Sequence, residues 1–268
     1  MALILADIFQ LLDRMAPAHM AEEWDNVGLQ VGDPRREVDL IWVALDPSPD
    51  VVSAACRNGV GLLVTHHPLI FSPLKRIDIR TPIGSVIEQA LRNRLAIYAM
   101  HTNLDAAVGG LNDLLAQKTG IQRVKPLAGG AGRNPHVGIG RTGLLPARMP
   151  LRQLALQLKK GMKLESVRVV GDSERRVRHV AVSTGSGSSL LPCFLSSASE
   201  VFITGDLRYH DAREIEAAGR CAIDIGHFHS EHLMAAAVAQ RIQKALVRRR
   251  ARIRVQAYPD EKEPFRTI

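Results

Sequence analysis

Three short apolar runs in this chain end in histidine and carboxylate. Leu62-Leu63-Val64-Thr65 stops at His66-His67-Pro68, and Leu95 to Met100 stops at His101-Thr102-Asn103-Leu104-Asp105. The third, Cys221 to Ile225, stops at Gly226-His227-Phe228-His229-Ser230-Glu231-His232. Imidazole plus carboxylate suits zinc, iron, manganese or nickel, and a carboxylate can bridge two cations. His101/Asp105 and His227/Glu231 are each spaced to share a face if a helical turn forms there. The adjacent His66 and His67 set a sharper condition. Neighbouring side chains on a regular strand point to opposite faces. Both histidines serve one site only if the backbone turns after Thr65, or if each takes a different ion. The residues therefore point to a metal site, and the histidine pair hints at two metals.

The elements that must position these groups alternate along the chain. Leu40–Leu45 reads as a strand ending at Asp46-Pro47, and Ser48-Pro49-Asp50 opens a helix through Ala55. The strand at 62–65, a helix opened by Thr81-Pro82 and running to about Asn93, the strand at 95–100 and a helix from Leu111 to Lys118 follow. Ile4, Ile8, Leu11, Leu12 and Met15 recur at helical spacing and predict an amphipathic opening helix. This β-α-β-α order predicts an α/β fold of two domains with largely parallel or mixed sheets and a metal cleft between them. The Gly129-Gly130-Ala131-Gly132 stretch is the expected boundary. An N-terminal α/β domain, 1–128, would carry His66, His67, His101 and Asp105. A second, 129–268, would carry His227 and Glu231, with 221–268 able to pack back on the first. In that second half, Val167–Val170 and Val177–Val182 read as strands around a Gly171-Asp172 turn. Ligands in open α/β sheets gather beyond the carboxyl ends of the strands, where all three clusters fall.

Other features carry less. His19, His136 and His179 lie outside any cluster, while His229 and His232 lie inside the third but off its spacing. His210 and Asp211 follow the Val201–Thr204 strand, with a cleft-facing role and a satisfied structural role equally open. Thr184-Gly185-Ser186-Gly187-Ser188-Ser189 has the glycine content of an anion-cradling loop, but it lacks the P-loop lysine. The net charge of +8 concentrates between Gln122 and Val180, where Glu165, Asp172 and Glu174 are the only acidic residues, and in the Arg248–Arg254 run. Such a field attracts anions, although a solvated basic face explains it more simply. Aromatics make up only 4% of the chain and do not interleave with the arginines, so a nucleic-acid partner is disfavoured. Hydrophobic content of 46% is ordinary for a globular protein, and no run of about 18 apolar residues predicts a membrane span. Cys56, Cys193 and Cys221 are widely spaced without a C-x-x-C pair, and the N-terminus lacks a signal-peptide pattern; both fit the cytoplasm.

Several stretches resemble a known family. Glu23-Trp24-Asp25-Asn26-Val27-Gly28-Leu29-Gln30-Val31-Gly32, Thr65–Phe71, His101–Asp105, Thr204–Ala212, Gly226–Glu231 and the closing Glu263-Pro264-Phe265-Arg266 occur in this chain. Together they resemble the NGG-interacting-factor-like dinuclear metal-centre proteins in their short bacterial form, whose members are commonly labelled GTP cyclohydrolase I type 2 homologues. The resemblance implies that His66, His67, His101, Asp105, His227 and Glu231 surround two divalent ions per chain, within a toroidal homohexamer. His66 and His67 would each give a neutral imidazole to one ion, Asp105 and Glu231 would neutralise or bridge, and His227 would complete one shell. His101 is either a ligand or a proton-transfer group, and His101 and Glu231 are the candidate catalytic residues. Asp25-Asn26 would either hydrogen-bond a ligating histidine or cap a turn.

Two classes of function follow. One is a metal-dependent hydrolase acting on a nucleotide-like or phosphate-bearing small molecule, needing no organic cofactor. The other is a non-catalytic metal-handling or insertion factor, or a regulatory scaffold, whose basic surface meets a partner.

Overall fold

The structure, a computed structural model, describes residues 3–129 and 135–266. The chain opens with helix α1 (Leu5–Met15), strands β1 (Gly28–Val31) and β2 (Leu40–Ala44), helix α2 (Pro49–Arg57), strand β3 (Leu62–Thr65), helix α3 (Pro82–Arg92) and strand β4 (Ala96–Ala99). Short α4 (Thr102–Ala106) leads to α5 (Leu111–Thr119), β5 (Gln122–Gly129), β6 (Gly138–Pro150), α6 (Leu151–Gly161), β7 (Arg168–Val170) and β8 (Arg176–Ser186). Then come α7 (Leu191–Ser196), β9 (Val201–Gly205), α8 (Tyr209–Ala217), β10 (Cys221–Asp224), α9 (His227–Glu231), α10 (Leu233–Arg248) and β11 (Arg254–Ala257). Two compact units result. One joins Met1–Leu104 to Met234–Ile268, and the other is Asp105–Leu233.

The first unit is built on a sheet of order β1-β4-β3-β2-β11. Strands β4, β3, β2 and β11 run parallel, and β1 closes one edge antiparallel to β4. Every residue of β2, β3 and β4 is buried, as expected of parallel strands covered on both faces, which read as continuous apolar runs. Helices start where their signals stand. Ser48 and Thr81 each accept a backbone N–H from the first turn, and Pro49 and Pro82 follow them. Helix α1 buries Ile8, Leu11 and Leu12 of the predicted apolar face together with Leu5, while Ile4 stands at the N-cap and Met15 is half-buried.

The second unit has a sheet of order β5-β6-β8-β9-β10-β7, in which β8, β9 and β10 are parallel and the remaining pairs antiparallel. Alternation along its strands separates two apolar clusters. Val180, Val182, Val201, Ile203, Cys221 and Ile223 pack with Leu115 of α5 and Leu154 and Leu158 of α6. Ala181, Phe202 and Ala222 pack instead with Phe194 of α7 and Ile215 of α8. Each sheet is thus a mixed α/β sheet with helices packed on it, as expected. Among the described residues no helix is long and apolar enough to cross a membrane.

Three details differ from expectation. The break expected between residues 128 and 129 falls within the β5–β6 hairpin, whose register runs to Gly129 opposite Gly138. Residues 130–132 of that glycine stretch lie outside the described residues. The units change over at Leu104–Asp105 and Leu233–Met234 instead, because α5 packs on the second core while β11 pairs with β2. Strands β7 and β8 are not partners across Gly171-Asp172. β7 lies at the far edge of the sheet, antiparallel to β10. Finally, Arg141 in the basic middle segment is no surface charge. It is 1% exposed, bonded to the Asp113 carboxylate and to the carbonyls of Gly138, Gly140 and Ala107.

A carboxylate also ties the second sheet together. Glu200 accepts the backbone N–H groups of Arg178 and His179 at 2.8 and 2.9 Å and the Arg148 guanidinium at 2.8 Å. Burial pushes its pKa up, but these donors outweigh burial and hold it below the ordinary 4.5. A depressed carboxylate contributes stability above its unfolded pKa and loses it as pH falls through the folded one. Glu200→Gln should therefore destabilise the protein by about 1.5 kcal/mol at neutral pH, the scale of hydrogen bonds to a charged group. In urea unfolding, the gap from wild type should close below about pH 4. A gap independent of pH would contradict this role.

Candidate metal centre

The C-terminal ends of β2, β3 and β4 lie side by side because these strands are parallel neighbours. They deliver Asp46, His66 with His67, and His101 respectively. The backbone turns after Thr65, which resolves the problem of adjacent histidines. The N–H groups of His66 and His67 both donate to the Leu45 carbonyl, at 3.1 and 3.0 Å, and Thr65 Oγ1 donates to the His67 carbonyl at 2.8 Å. His66, His67 and His101 then converge, with one nitrogen of each within 4.8 Å of the others. Ring centres are 5.0 Å apart for His66–His101, 5.1 Å for His66–His67 and 5.6 Å for His67–His101.

Each ring has its tautomer set by a fixed acceptor. His66 Nδ1 lies 2.8 Å from the Met100 carbonyl, His67 Nδ1 2.7 Å from Asp46 Oδ1, and His101 Nδ1 2.9 Å from Asp25 Oδ1. A carbonyl or ionised carboxylate only accepts, so Nδ1 carries the hydrogen and the neutral ring keeps its lone pair on Nε2. Asp25 is well suited to this. Burial would raise its pKa, but hydrogen bonds from His101 and Thr102, with the neighbouring imidazole, bring it from 3.8 down to about 2. Its other oxygen accepts the Thr102 N–H at 3.0 Å. Asp46 is placed in turn by the C-terminal segment, for Glu261 accepts the N–H groups of Leu45 and Asp46 at 2.8–2.9 Å.

The second unit repeats the arrangement. Strands β8, β9 and β10 are parallel neighbours, and Thr184, Asp206 and His227 lie at their C-terminal ends. His227 Nδ1 lies 2.7 Å from Asp206 Oδ2, and His227 Nε2 2.8 Å from Glu231 Oε2, four residues on along α9. That last separation suits a shared proton or two ligands on one cation. Asp206 has φ +51°, a left-handed conformation that aspartate tolerates better than most residues. Asp105, in α4, is held in a closed cycle. Thr184 Oγ1 donates to its carboxylate at 3.0 Å, the Thr184 N–H donates to Asn112 Oδ1 at 3.1 Å, and Asn112 Nδ2 donates to the Asp105 carbonyl at 3.2 Å. Gly185 must remain glycine. Its φ is +58°, and a Cβ there would stand 2.1 Å from Glu231 Oε1. The glycine-serine loop thus packs against the ligand candidates.

His66, His67 and His101 are therefore brought together in the first unit, and His227 and Glu231 in the second, with Asp105 beside Thr184. The donor set fits a divalent ion of the zinc, iron, manganese or nickel kind: neutral imidazoles oriented by carboxylates and carbonyls, with acidic side chains to balance charge. Asp25 takes the histidine-bonding role left open above. Asp46 and Asp206 had no assigned role, although each is an aspartate just past an apolar run, where a turn residue is also expected. Asp211 is occupied structurally, bonded to Arg208 at 2.9 Å and Ser188 at 2.5 Å. His232 stacks on Phe228, with ring centres 4.7 Å apart.

This combination defines an α/β protein with a candidate metal centre at its strand ends. Residues 3–264 match the family model described as Duf34/NIF3 (NGG1p interacting factor 3), and the chain belongs to that family. It is 32% identical over 246 residues to a Clostridium acetobutylicum protein called GTP cyclohydrolase 1 type 2 homolog, covering 92% of each chain. A Streptomyces coelicolor protein of the same name is 36% identical over 234 residues, covering 85% of this chain and 81% of that one. Among solved structures, a Bacillus cereus protein related to NIF3 superposes with a TM-score of 0.94 at 25% identity, covering 100% of both chains. Reduced HcgD from Methanocaldococcus jannaschii gives 0.82 at 28% identity, covering 96% of this chain and 98% of that one.

If the carboxylates orient the ligands, Asp46→Asn and Asp206→Asn should each weaken metal binding about 10- to 100-fold while the protein stays folded. Competition against a chromogenic chelator, alongside circular dichroism, measures both. Wild-type affinity in both variants would remove the orienting role.

Proposed function

We propose that this chain is a dinuclear metal-dependent hydrolase acting on a nucleotide-like or other phosphate-bearing substrate. The observation that carries the reading is the shared tethering of His66, His67, His101 and His227, each held through Nδ1 by a carbonyl or carboxylate. His66, His67 and His101, together with Asp105, His227 and Glu231, are the proposed ligands of two ions. Divalent ions held there would supply Lewis acidity toward a phosphoryl or carbonyl oxygen. The chain's own groups would manage protons and orientation. Glu231 is buried and bonded to His227, and His101 is fixed by Asp25, so these are the proposed proton-handling residues. The net charge of +8 favours an anionic substrate, and the relatives' cyclohydrolase label supports a nucleotide. The family resemblance further supports assembly into a ring-shaped homohexamer.

Metal analysis should find two ions per wild-type chain and fewer in His67→Ala and Glu231→Ala, both still folded. A panel of phosphoesters and nucleotides, assayed with Mn, Fe, Zn and Mg, should reveal turnover that chelation abolishes and metal restores. Turnover that survives complete metal removal would overturn the mechanism. No turnover, with bound metal passing to an apo-acceptor, would support the metal-handling class instead. Light scattering at micromolar concentration tests the assembly, and a monomer would overturn it.

A further inference from the structure

In the first unit, Trp24 and Phe71 are large rings that the fold leaves 57% exposed each. Aromatic side chains normally serve the core, as the other tryptophan does: Trp42 is 8% exposed and stacks on Tyr258. Trp24 and Phe71 meet instead at the surface, with ring centres 5.6 Å apart and planes tilted by 48°. Both stand edgewise to the His101 ring, at 5.9 and 6.4 Å.

The pair is held in place from both sides. Asn26 Nδ2 donates to the Ile70 carbonyl at 2.7 Å, and the Ile70 N–H donates to Gln30 Oε1 at 3.1 Å. Gln30 Nε2 returns to the Asn26 carbonyl at 2.8 Å. These bonds staple the segment carrying Trp24 to the loop carrying Phe71. Asp25, next to Trp24, is bonded to His101 itself. Rings fixed in advance lose little freedom on binding, which favours a stacked ligand. The same loop continues through Lys75 and Arg76, both exposed.

We propose that Trp24 and Phe71 form a ring-binding subsite beside the His66–His67–His101 cluster, taking the planar heteroaromatic base of a nucleotide. The proposal deepens the hydrolase reading and rests on it for the ligand's anionic character. Every base has a π-face, so stacking alone admits several bases.

Trp24 supplies its own reporter, since the second tryptophan is buried. GMP and AMP are titrated into the full chain, with ribose 5-phosphate as the ring-free control, and indole emission is excited at the red edge of its band. Bound metal is measured on the same samples. The expected result is saturable quenching by the nucleotides that is lost in Trp24→Phe. In Phe71→Ala the midpoint should rise about tenfold, within the range for loss of one stacking partner. Phe71→Leu replaces that variant if it fails to fold. No saturable quenching by either nucleotide, equal quenching by ribose 5-phosphate, or an unchanged midpoint in the Phe71 variant overturns the subsite. So does dissociation of an oligomer by these substitutions without effect on nucleotide binding, which would assign the rings to a contact between copies. Nucleotide quenching in a protein that binds no metal overturns the metal reading and leaves the subsite standing.

Discussion

A neutral imidazole has one nitrogen that donates and one that accepts, and fixing the first fixes the second. That constraint organises this structure. His66 and His67 each need an acceptor at hydrogen-bonding distance from Nδ1, as do His101 and His227, and the fold supplies all four, one from a backbone carbonyl and three from aspartate side chains. For His66, His67 and His227 the supply depends on parallel strands, whereas Asp25 reaches His101 from just ahead of β1, antiparallel to β4. When neighbours run parallel, their C-terminal ends share one edge, so a side chain leaving one strand reaches a group leaving the next. Asp46 and His67 leave β2 and β3, while Asp206 and His227 leave β9 and β10. The same strand-to-strand pairing thus recurs in two sheets of different order.

The hydrogen bonds that set these tautomers are themselves set by others. Asp46 sits where Glu261 binds the Leu45 and Asp46 amides, and Asp25 where the Thr102 amide completes its second oxygen. Asp105 depends on Thr184 and Asn112 in the same way. Such layers explain why the functional groups occur in extended stretches such as Glu23–Gly32 rather than as isolated histidines. Only part of each stretch touches the candidate site. The remainder holds that part at the required angle.

Much of this was legible from residue order. The strands at 40–44, 62–65 and 96–99 are buried on both faces, so burial wrote them as unbroken apolar runs. The histidines stood out because chemistry-bearing residues rarely crowd at the end of such a run. The turn that lets His66 and His67 share a site left no comparable mark, because it depends on the Leu45 carbonyl of a neighbouring strand. Asp46 and Asp206 were hidden for a related reason. An aspartate after a strand is an ordinary turn residue until the strand beside it is known. Strand order was likewise beyond local reading: β7 is short and largely exposed, and its partner β10 lies some fifty residues away in the chain. A glycine-rich stretch also looks like a linker when the pairing of the strands beside it is invisible, which placed the expected boundary at residue 129.

The first unit is discontinuous, and this has a consequence for biosynthesis. As the chain emerges from a ribosome, β2 can pair with β3, but its outer edge stays bare until Arg254–Ala257 arrives. The whole of Asp105–Leu233 is made in that interval. An open edge beside apolar residues invites pairing with another nascent chain. The Glu261 carboxylate that braces Asp46 is translated later still. A partly made chain therefore carries the histidines before it has the brace that helps aim His67. Orientation of the His67 ring thus waits until Glu261 has been added, long after the histidines themselves are in the chain.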